Sequence, residues 1–191
     1  TSDVFNNFIA VNRHDIHHRV DRRGNVTVRE RQTFRPFGQC SRKVCHITST
    51  EPAKLAQVRF NARAWLASAP LKVAWRTRIN RPRHKDFSLE FDTPIPAGST
   101  ATIEFEYQWP KGWSFPEDRY VYDVTAWAED VRFEIAFDES VRVTKLSSSI
   151  HSIFGDMWPG VGRFTRVPRG YRWRGTHLPM FSRVSLTHRT S

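Results

Sequence analysis

The sequence predicts an all-β protein, a single antiparallel β-sandwich of roughly nine to eleven strands. Apolar and polar residues alternate through most of the chain, and short Gly-, Pro- and Asn-containing segments separate the alternating runs. No stretch shows the spacing of an amphipathic helix convincingly. A closed β-barrel is the alternative, because a barrel also buries one face of every strand.

Each predicted strand places apolar side chains on one side and polar or charged side chains on the other. The clearest segments are residues 58–64, 73–79, 87–91, 103–109 and 131–137. One-sided strands of this kind are typical of antiparallel sheets with one packed face and one solvated face. Oppositely charged residues on neighbouring solvated faces would stabilise such a sheet through cross-strand pairs.

The connections between these segments also fit a β-sandwich. VDRRGNV (residues 20–26) predicts a β-hairpin with a Gly-Asn turn, and TPIPAGST (93–100) predicts a turn between two strands. AEDV (128–131) and FDESV (137–141) predict two further short turns. Residues 51–56 have room for one helical turn at most.

A chain of 191 residues is long enough for one domain with a large core. We therefore expect residues 1–191 to form a single domain, part of a larger protein. The strand number and the turn spacing resemble the broad immunoglobulin-like class of sandwiches. Antibody domains have a Cys…Trp…Cys pattern that is missing here, because Cys40 and Cys45 lie in one short segment. The resemblance therefore implies a fold and no site residues.

The composition favours acidic partners. The formal net charge is +11, from 30 Lys and Arg against 19 Asp and Glu. A basic protein of this kind attracts nucleic acid, anionic lipid or an acidic protein surface. No apolar run approaches the roughly 18–20 residues of a membrane helix, so we expect no membrane insertion. The N-terminal residues do not resemble a signal peptide and cysteine is scarce, which together favour a cytoplasmic location.

The excess positive charge lies at the two ends of the chain. One arginine-rich segment spans residues 13–43, and no acidic residue follows Asp156. The candidate polyanion-binding residues are Arg163, Arg166, Arg169, Arg172 and Arg174. In GYRWRG (170–175), alternation separates the aromatic rings from the guanidinium groups. This favours an ordinary strand over a base-stacking platform, which needs both on one face. The arginine row could still bind phosphates without reading sequence.

Two turn-rich segments, QWPKGWSFPEDRY and MWPGVGRF, concentrate aromatic residues. Loops at the end of a sandwich commonly carry recognition, and exposed rings there could stack on a ligand or a protein partner. The same rings could instead close the end of the core. The candidate ligand- or partner-binding residues are Trp109, Trp113, Phe115, Tyr120, Trp158 and Phe164.

Metal and catalytic signals are weak. On a strand, His14 and His18 share a face about 13 Å apart, too far for one metal ion without a bulge. Cys40, Cys45 and His46 could be free thiols, a disulfide or part of a metal site that needs another histidine. No nucleophile elbow, phosphate-binding loop or HExxH motif is present. We therefore predict no cofactor.

These observations favour a non-catalytic β-sandwich recognition or regulatory module. It would bind a protein partner, other domains of the same polypeptide, or a ligand, through the aromatic end loops, and its basic faces would dock an acidic neighbour. The alternatives are nucleic-acid or polyanion binding by the terminal arginines, or a metal-dependent hydrolase.

Overall fold

A computed structural model describes residues 9–49, 51–113, 116–138, 142–152 and 157–191. Its strands are β1 (Ile9–Val20), β2 (Val26–Pro36), β3 (Cys40–Thr48), β4 (Arg59–Leu66), β5 (Ala69–Leu71), β6 (Val73–Arg81), β7 (His84–Ile95), β8 (Ala101–Trp109), β9 (Glu117–Val124), β10 (Trp127–Phe137), β11 (Val143–Ser152), β12 (Met157–Pro159), β13 (Arg163–Val167), β14 (Gly170–Leu178) and β15 (Ser182–Thr190). A 3-10 turn spans Leu55–Gln57.

The strands form one large sheet and two small ones. The large sheet has eight strands in the order β13-β14-β10-β1-β2-β8-β4-β5, and the small sheets have the orders β12-β11-β15-β9 and β3-β7-β6. Both small sheets pack on the same face of the large one. Tyr120 of β9 stacks on Phe133 of β10 with ring centroids 4.4 Å apart, and Phe60 of β4 stacks on Phe87 of β7 at 4.1 Å.

The all-β sandwich class is therefore confirmed, and the sheets do not close into a barrel. One pairing departs from the antiparallel pattern, because β1 and β10 run parallel in the middle of the large sheet. The long stretch of chain between them permits this, since parallel neighbours need a long crossover. Within the described ranges, no helix has the length and apolarity needed to cross a bilayer.

Two turn predictions have opposite outcomes. The β1–β2 hairpin is confirmed: Gly24 has φ +77°, and the Asp21 carboxylate accepts the backbone N–H groups of Arg23 and Asn25. The predicted turn at residues 128–131 is wrong, because this segment lies inside β10. Asp130 is tolerated in the strand because Arg132 and Arg174 donate hydrogen bonds to its carboxylate.

The core lies between the large sheet and the two small sheets. Side chains alternate between this core and the open face of the large sheet. In β14, Tyr171 and Trp173 are fully buried whereas Arg172 and Arg174 are exposed. The strand interpretation of GYRWRG therefore holds, and this strand presents its guanidinium groups on the side opposite its rings.

Candidate functional site

The open face of the large sheet is rich in charged side chains. Its central depression has a volume of about 850 Å³ and is lined by seven arginines and three carboxylates. We call this surface the arginine face. Its arginines are Arg13, Arg29, Arg31, Arg132, Arg163, Arg172 and Arg174.

The strand register explains how residues from both ends of the chain meet here. Because β1 lies between β2 and β10, the early arginines are brought next to the late ones. Asp15 is paired with Arg132 on one side and with Arg31 on the other. Arg132 is in turn paired with Arg174, which lies opposite Arg163. A continuous row of charged side chains therefore crosses the sheet.

Carboxylates neutralise part of this face. Arg29 donates to Glu104 at 2.7 Å, and Arg172 donates to Glu134. Asp130 accepts from both Arg132 (2.6 Å) and Arg174 (2.7 Å). Partial burial alone would raise the pKa of Asp130, but these two arginines lower it below its ordinary value. The carboxylates thus hold several guanidinium groups in fixed orientations.

Two arginines of the face keep their charge unneutralised. Neither Arg31 nor Arg163 has a carboxylate within ion-pair distance in the described part of the chain, and both are exposed. The Arg31 guanidinium lies over the Trp65 ring, 5.9 Å from its centroid. With seven arginines against the three lining carboxylates and Asp130, the face has an excess of positive charge.

The other two predicted polyanion-binding arginines lie elsewhere. Arg166 donates to the backbone carbonyl of Val143 at 3.0 Å, away from the arginine face. Arg169 lies in the β13–β14 turn, where its carbonyl accepts the N–H of Phe137. The structure therefore brings together Arg163, Arg172 and Arg174 of the predicted set.

The predicted aromatic residues take several positions. Trp109 and Trp113 are buried, and the Trp109 indole donates to the Glu51 carbonyl at 3.0 Å. Both rings are therefore part of the core. Tyr120 and Phe164 are partly buried against the core. Phe115 and the Trp158 side chain lie outside the described residues.

Three of these rings also line a pocket. Trp109, Trp113 and Tyr120 surround a pocket of about 380 Å³ between the sheets, together with His18 and His188. Trp113 and His188 stack with ring centroids 4.1 Å apart. We call this the aromatic–histidine pocket. Sequence reasoning missed His188, because only the fold brings β15 beside the Trp113 segment.

The two histidines of the pocket are held neutral. Burial lowers the pKa of His188 to about 3, and burial with smaller contributions from His188 and His17 lowers that of His18 to about 3. The Nε2 atoms of His18 and His188 are buried and have no hydrogen-bond partner among the described residues. Two neutral imidazoles with buried, unpartnered Nε2 atoms therefore line the pocket beside its aromatic walls.

The residues considered for metal binding do not form one cluster. Both ring nitrogens of His14 are occupied, by Glu30 at 2.9 Å and by the Tyr122 hydroxyl at 3.1 Å. Cys40 and Cys45 are free, buried thiols, and burial raises the pKa of Cys45 to about 12. Either thiol would have to lose its proton on binding a metal, because the ligand is the thiolate.

His46 lies on β3 directly after Cys45, and the two side chains point to opposite sides of the strand. The His46 ring is 2.8 Å from the Asp86 carboxylate of β7. From the sequence, a metal site that includes Cys40, Cys45 and His46 requires another histidine. The structure instead places His46 beside Asp86 and His84, on the side of the sheet away from the thiols. Sequence reasoning missed Asp86, since nothing in its local pattern distinguishes it from an ordinary strand residue.

Neither a protein-family model nor a curated protein matches the chain in sequence. Similarity appears in the fold. A proposed protease from Parabacteroides distasonis superposes with a TM-score of 0.62 at 9% identity, over 95% of this chain and 40% of that one. The M1 zinc metallopeptidase of Deinococcus radiodurans superposes with a TM-score of 0.52 at 12% identity, over 94% of this chain and 42% of that one.

These comparisons establish the fold alone, because the identities are very low. The fold of the chain is similar to that of the β-sandwich domain of M1 peptidases. It spans about two fifths of the length of these two solved chains.

Proposed function

We propose that this chain is a non-catalytic β-sandwich domain whose arginine face binds an acidic surface on another domain of the same polypeptide. The excess of positive charge on one concave face is the observation that carries the proposal. The partial coverage of the solved chains supports a partner within the same polypeptide, since a domain of this fold occurs there beside further chain.

The interleaved carboxylates favour a folded protein partner over a nucleic acid. Glu104, Glu134 and Asp130 stand between the guanidinium groups and would repel a continuous row of phosphates. A protein surface can instead match a mixed pattern of both signs, which gives specificity and a defined register. Arginine is also enriched at protein–protein interfaces.

Arg31 and Arg163, the two arginines of the face without a carboxylate partner among the described residues, should contribute most to binding. No existing ion pair has to break before Arg31 or Arg163 binds a new partner. Each guanidinium group can therefore form a bidentate pair with a carboxylate of the partner domain. The remaining arginines are oriented by their own carboxylates and would extend the contact around these two. Binding by this face would be strongly salt-dependent.

The experiment measures binding of the chain to labelled polyglutamate, single-stranded RNA and duplex DNA by fluorescence anisotropy at about 50 and 200 mM salt. We expect polyglutamate to bind at low salt, and Arg31→Glu with Arg163→Glu to weaken that binding at least about ten-fold. The control is Arg78→Glu with Arg81→Glu, an equal change of charge on exposed residues of β6 in a small sheet.

Equal losses in both double variants would overturn the proposal, because the net charge and not the face would then govern binding. Absence of polyglutamate binding at low salt would also overturn it. Tighter binding to RNA or DNA than to polyglutamate, lost only in the arginine-face variant, would replace the proposal with nucleic-acid or polyanion binding.

A second candidate function is ligand binding in the aromatic–histidine pocket, which would give the predicted aromatic residues Trp109, Trp113 and Tyr120 their role. The unpartnered nitrogens of His18 and His188 favour it, since a ligand hydroxyl could satisfy them. Pockets of about 300–1,000 Å³ with aromatic walls and a few polar groups are typical of small-molecule sites.

A matched pair of probes tests this second candidate. 2-Naphthol should bind more tightly than naphthalene, because only the former offers a hydroxyl to the imidazoles. Binding is followed by NMR through the side-chain signals of His18 and His188. The preference for 2-naphthol should fall in His18→Phe, and equal affinity for both probes in the unaltered protein would reject the idea.

A further inference from the structure

A compact group of nitrogen and oxygen ligands lies on the three-stranded sheet, apart from the arginine face and the pocket. His46 is on β3, and His84 and Asp86 are on β7. The available ligand atoms of these three side chains all lie within 4.8 Å of one another. Two imidazoles and a carboxylate are a donor set that binds first-row divalent metals.

The strand register produces this arrangement. His46 is paired directly with Asp86 across the β3–β7 ladder, and Thr48 is paired with His84. His84 and Asp86 are two residues apart on one strand, so their side chains leave the same face of the sheet. The three donors are therefore positioned by regular backbone, which holds ligands more firmly than a loop does.

The contacts within the group converge on one atom. Asp86 Oδ1 is 2.8 Å from His46 Nδ1 and 2.5 Å from His84 Nε2. Donors of a tetrahedral zinc site lie about 3.3 Å from one another, given Zn–N and Zn–O bonds of about 2.0–2.1 Å. A tetrahedral site would require the two Asp86 contacts to lengthen by less than about an ångström, and the two imidazole nitrogens, which lie within 4.8 Å of each other, to sit about 3.3 Å apart.

Burial differs within the group in a way that suits a metal site. The Asp86 side chain is 7% exposed, whereas the His46 side chain is 64% exposed. A buried carboxylate needs a positive or hydrogen-bonding partner, and an exposed imidazole leaves a path by which an ion can enter. The buried hydroxyl of Ser88, on the same face of β7, has no hydrogen-bond partner among the described residues.

We propose that His46, His84 and Asp86 form a binding site for one divalent transition-metal ion of the zinc class. Imidazole nitrogens select such ions over Mg²⁺ and Ca²⁺, which prefer oxygen ligands. Three protein ligands leave a fourth position for water or for a group from a partner. The site does not depend on the docking proposal, because it lies in a different sheet.

The test is a titration of the untagged chain with Zn²⁺ by isothermal calorimetry, with Co²⁺ as a spectroscopic probe of coordination. We expect one Zn²⁺ per chain, and a Co²⁺ spectrum with visible ligand-field bands and no thiolate charge-transfer band. His46→Ala should weaken Zn²⁺ binding at least about ten-fold. Zn²⁺ should raise the melting temperature of the unaltered chain, because it binds the folded state, and should raise it less in His46→Ala.

The controls separate this site from other donors. His17→Ala removes an exposed histidine on the large sheet, and Cys40→Ser with Cys45→Ser removes both thiols; both variants should bind Zn²⁺ normally. His46→Ala is chosen first because its exposed ring contributes little to the core. Absence of Zn²⁺ uptake, equal uptake in His46→Ala, or loss of uptake only in the double Cys variant would each overturn the proposal.

Discussion

The hydroxyl of Tyr171 and Nδ1 of His188 lie 2.7 Å apart, forming a buried hydrogen bond between the eight-stranded and four-stranded sheets. The two residues stand on β14 and β15, consecutive strands that belong to different layers. This bond therefore fixes how the two layers face each other at this point of the core. Both side chains are almost completely buried, so water does not compete for it.

Removing that hydroxyl should destabilise the fold. Tyr171→Phe would leave His188 Nδ1 buried without a partner, which costs about 1–3 kcal/mol. Urea denaturation measures the free energy of unfolding. Tyr120→Phe is the control, because the Tyr120 hydroxyl has no hydrogen-bond partner among the described residues. A loss as large in Tyr120→Phe would mean that the bond itself contributes nothing.

Stability should fall in mild acid. The unfolded chain protonates His18 and His188 below about pH 6.5, whereas in the folded chain each has a pKa of about 3. The unfolded state therefore binds more protons between these values, and stability present above about pH 6.5 is lost as the pH falls toward 3. Protonation of these two histidines in the unfolded state should lower the free energy of unfolding by about 2 kcal/mol between pH 6 and pH 5.

Chemical denaturation at a series of pH values measures this loss. His18→Phe keeps a ring between Tyr120 and Phe133. It should halve the loss of stability that His18 and His188 together cause in acid. His17→Gln removes an exposed neighbour that makes only a minor contribution to the low pKa of His18, and should change the profile much less than His18→Phe does. An unaltered pH slope in His18→Phe would show that this imidazole titrates normally in the folded state.

Trp113 and Trp127 should respond differently to truncation. Trp113 is buried, stacks on His188 and meets Phe137 edge-on, so Trp113→Ala should cost about 3–5 kcal/mol. Trp127 is 47% exposed, and Trp127→Ala should change stability by less than about 1 kcal/mol. Thermal melts of both variants provide the comparison. A minor effect of Trp113→Ala would place that ring on the surface.

Charge reversal on β14 should leave the fold largely intact. Arg172→Glu with Arg174→Glu removes exposed ion pairs that are worth about 0–1 kcal/mol each, and adds repulsion toward Glu134 and Asp130. We expect a small fall in the urea midpoint and a clear loss of polyglutamate or polyanion binding. Unchanged binding would count against any role of this row in docking.

Gly170 should not tolerate a methyl group. A Cβ there would lie 1.8 Å from the Ile135 carbonyl oxygen, because β14 starts against the backbone of β10. Gly170→Ala must displace one strand and should cost about 3 kcal/mol or more. Gly38→Ala is the control, since a Cβ added at Gly38 would meet no atom within 4 Å. Equal stability of the two variants would show that the strand shifts freely.

Local patterns predicted the parts of the fold that depend on neighbouring residues. Alternation in GYRWRG identified which side chains enter the core, and Gly-Asn identified the first hairpin, because both signals act within a few residues. The AEDV segment was wrongly predicted to be a turn, because two consecutive acidic residues are typical of a turn. Arginines from the same and a neighbouring strand make Asp130 compatible with β10, and Asn12 of β1 donates a hydrogen bond to Glu129.

The candidate sites depended on long-range pairing and were predicted only in part. Alternation placed Arg172 and Arg174 on the open side of their strand, but their meeting with Arg29 and Arg31 required the position of β1 in the middle of the sheet. His46 was recognised as a potential ligand. Its partners His84 and Asp86 are fixed by the β3–β7 register, and no local feature of the sequence specifies that register.

The parallel pairing of β1 with β10 has a consequence for the order in which the chain folds. Residue 10 pairs with residue 127, and residue 20 with residue 137. Contacts so distant in sequence form slowly, because a long loop must close before they contribute. A chain emerging from the ribosome cannot complete the middle of its large sheet until β10 has been made. Until then one edge of β1 is an unpaired strand edge, which is where a chaperone or an aggregating neighbour would attach.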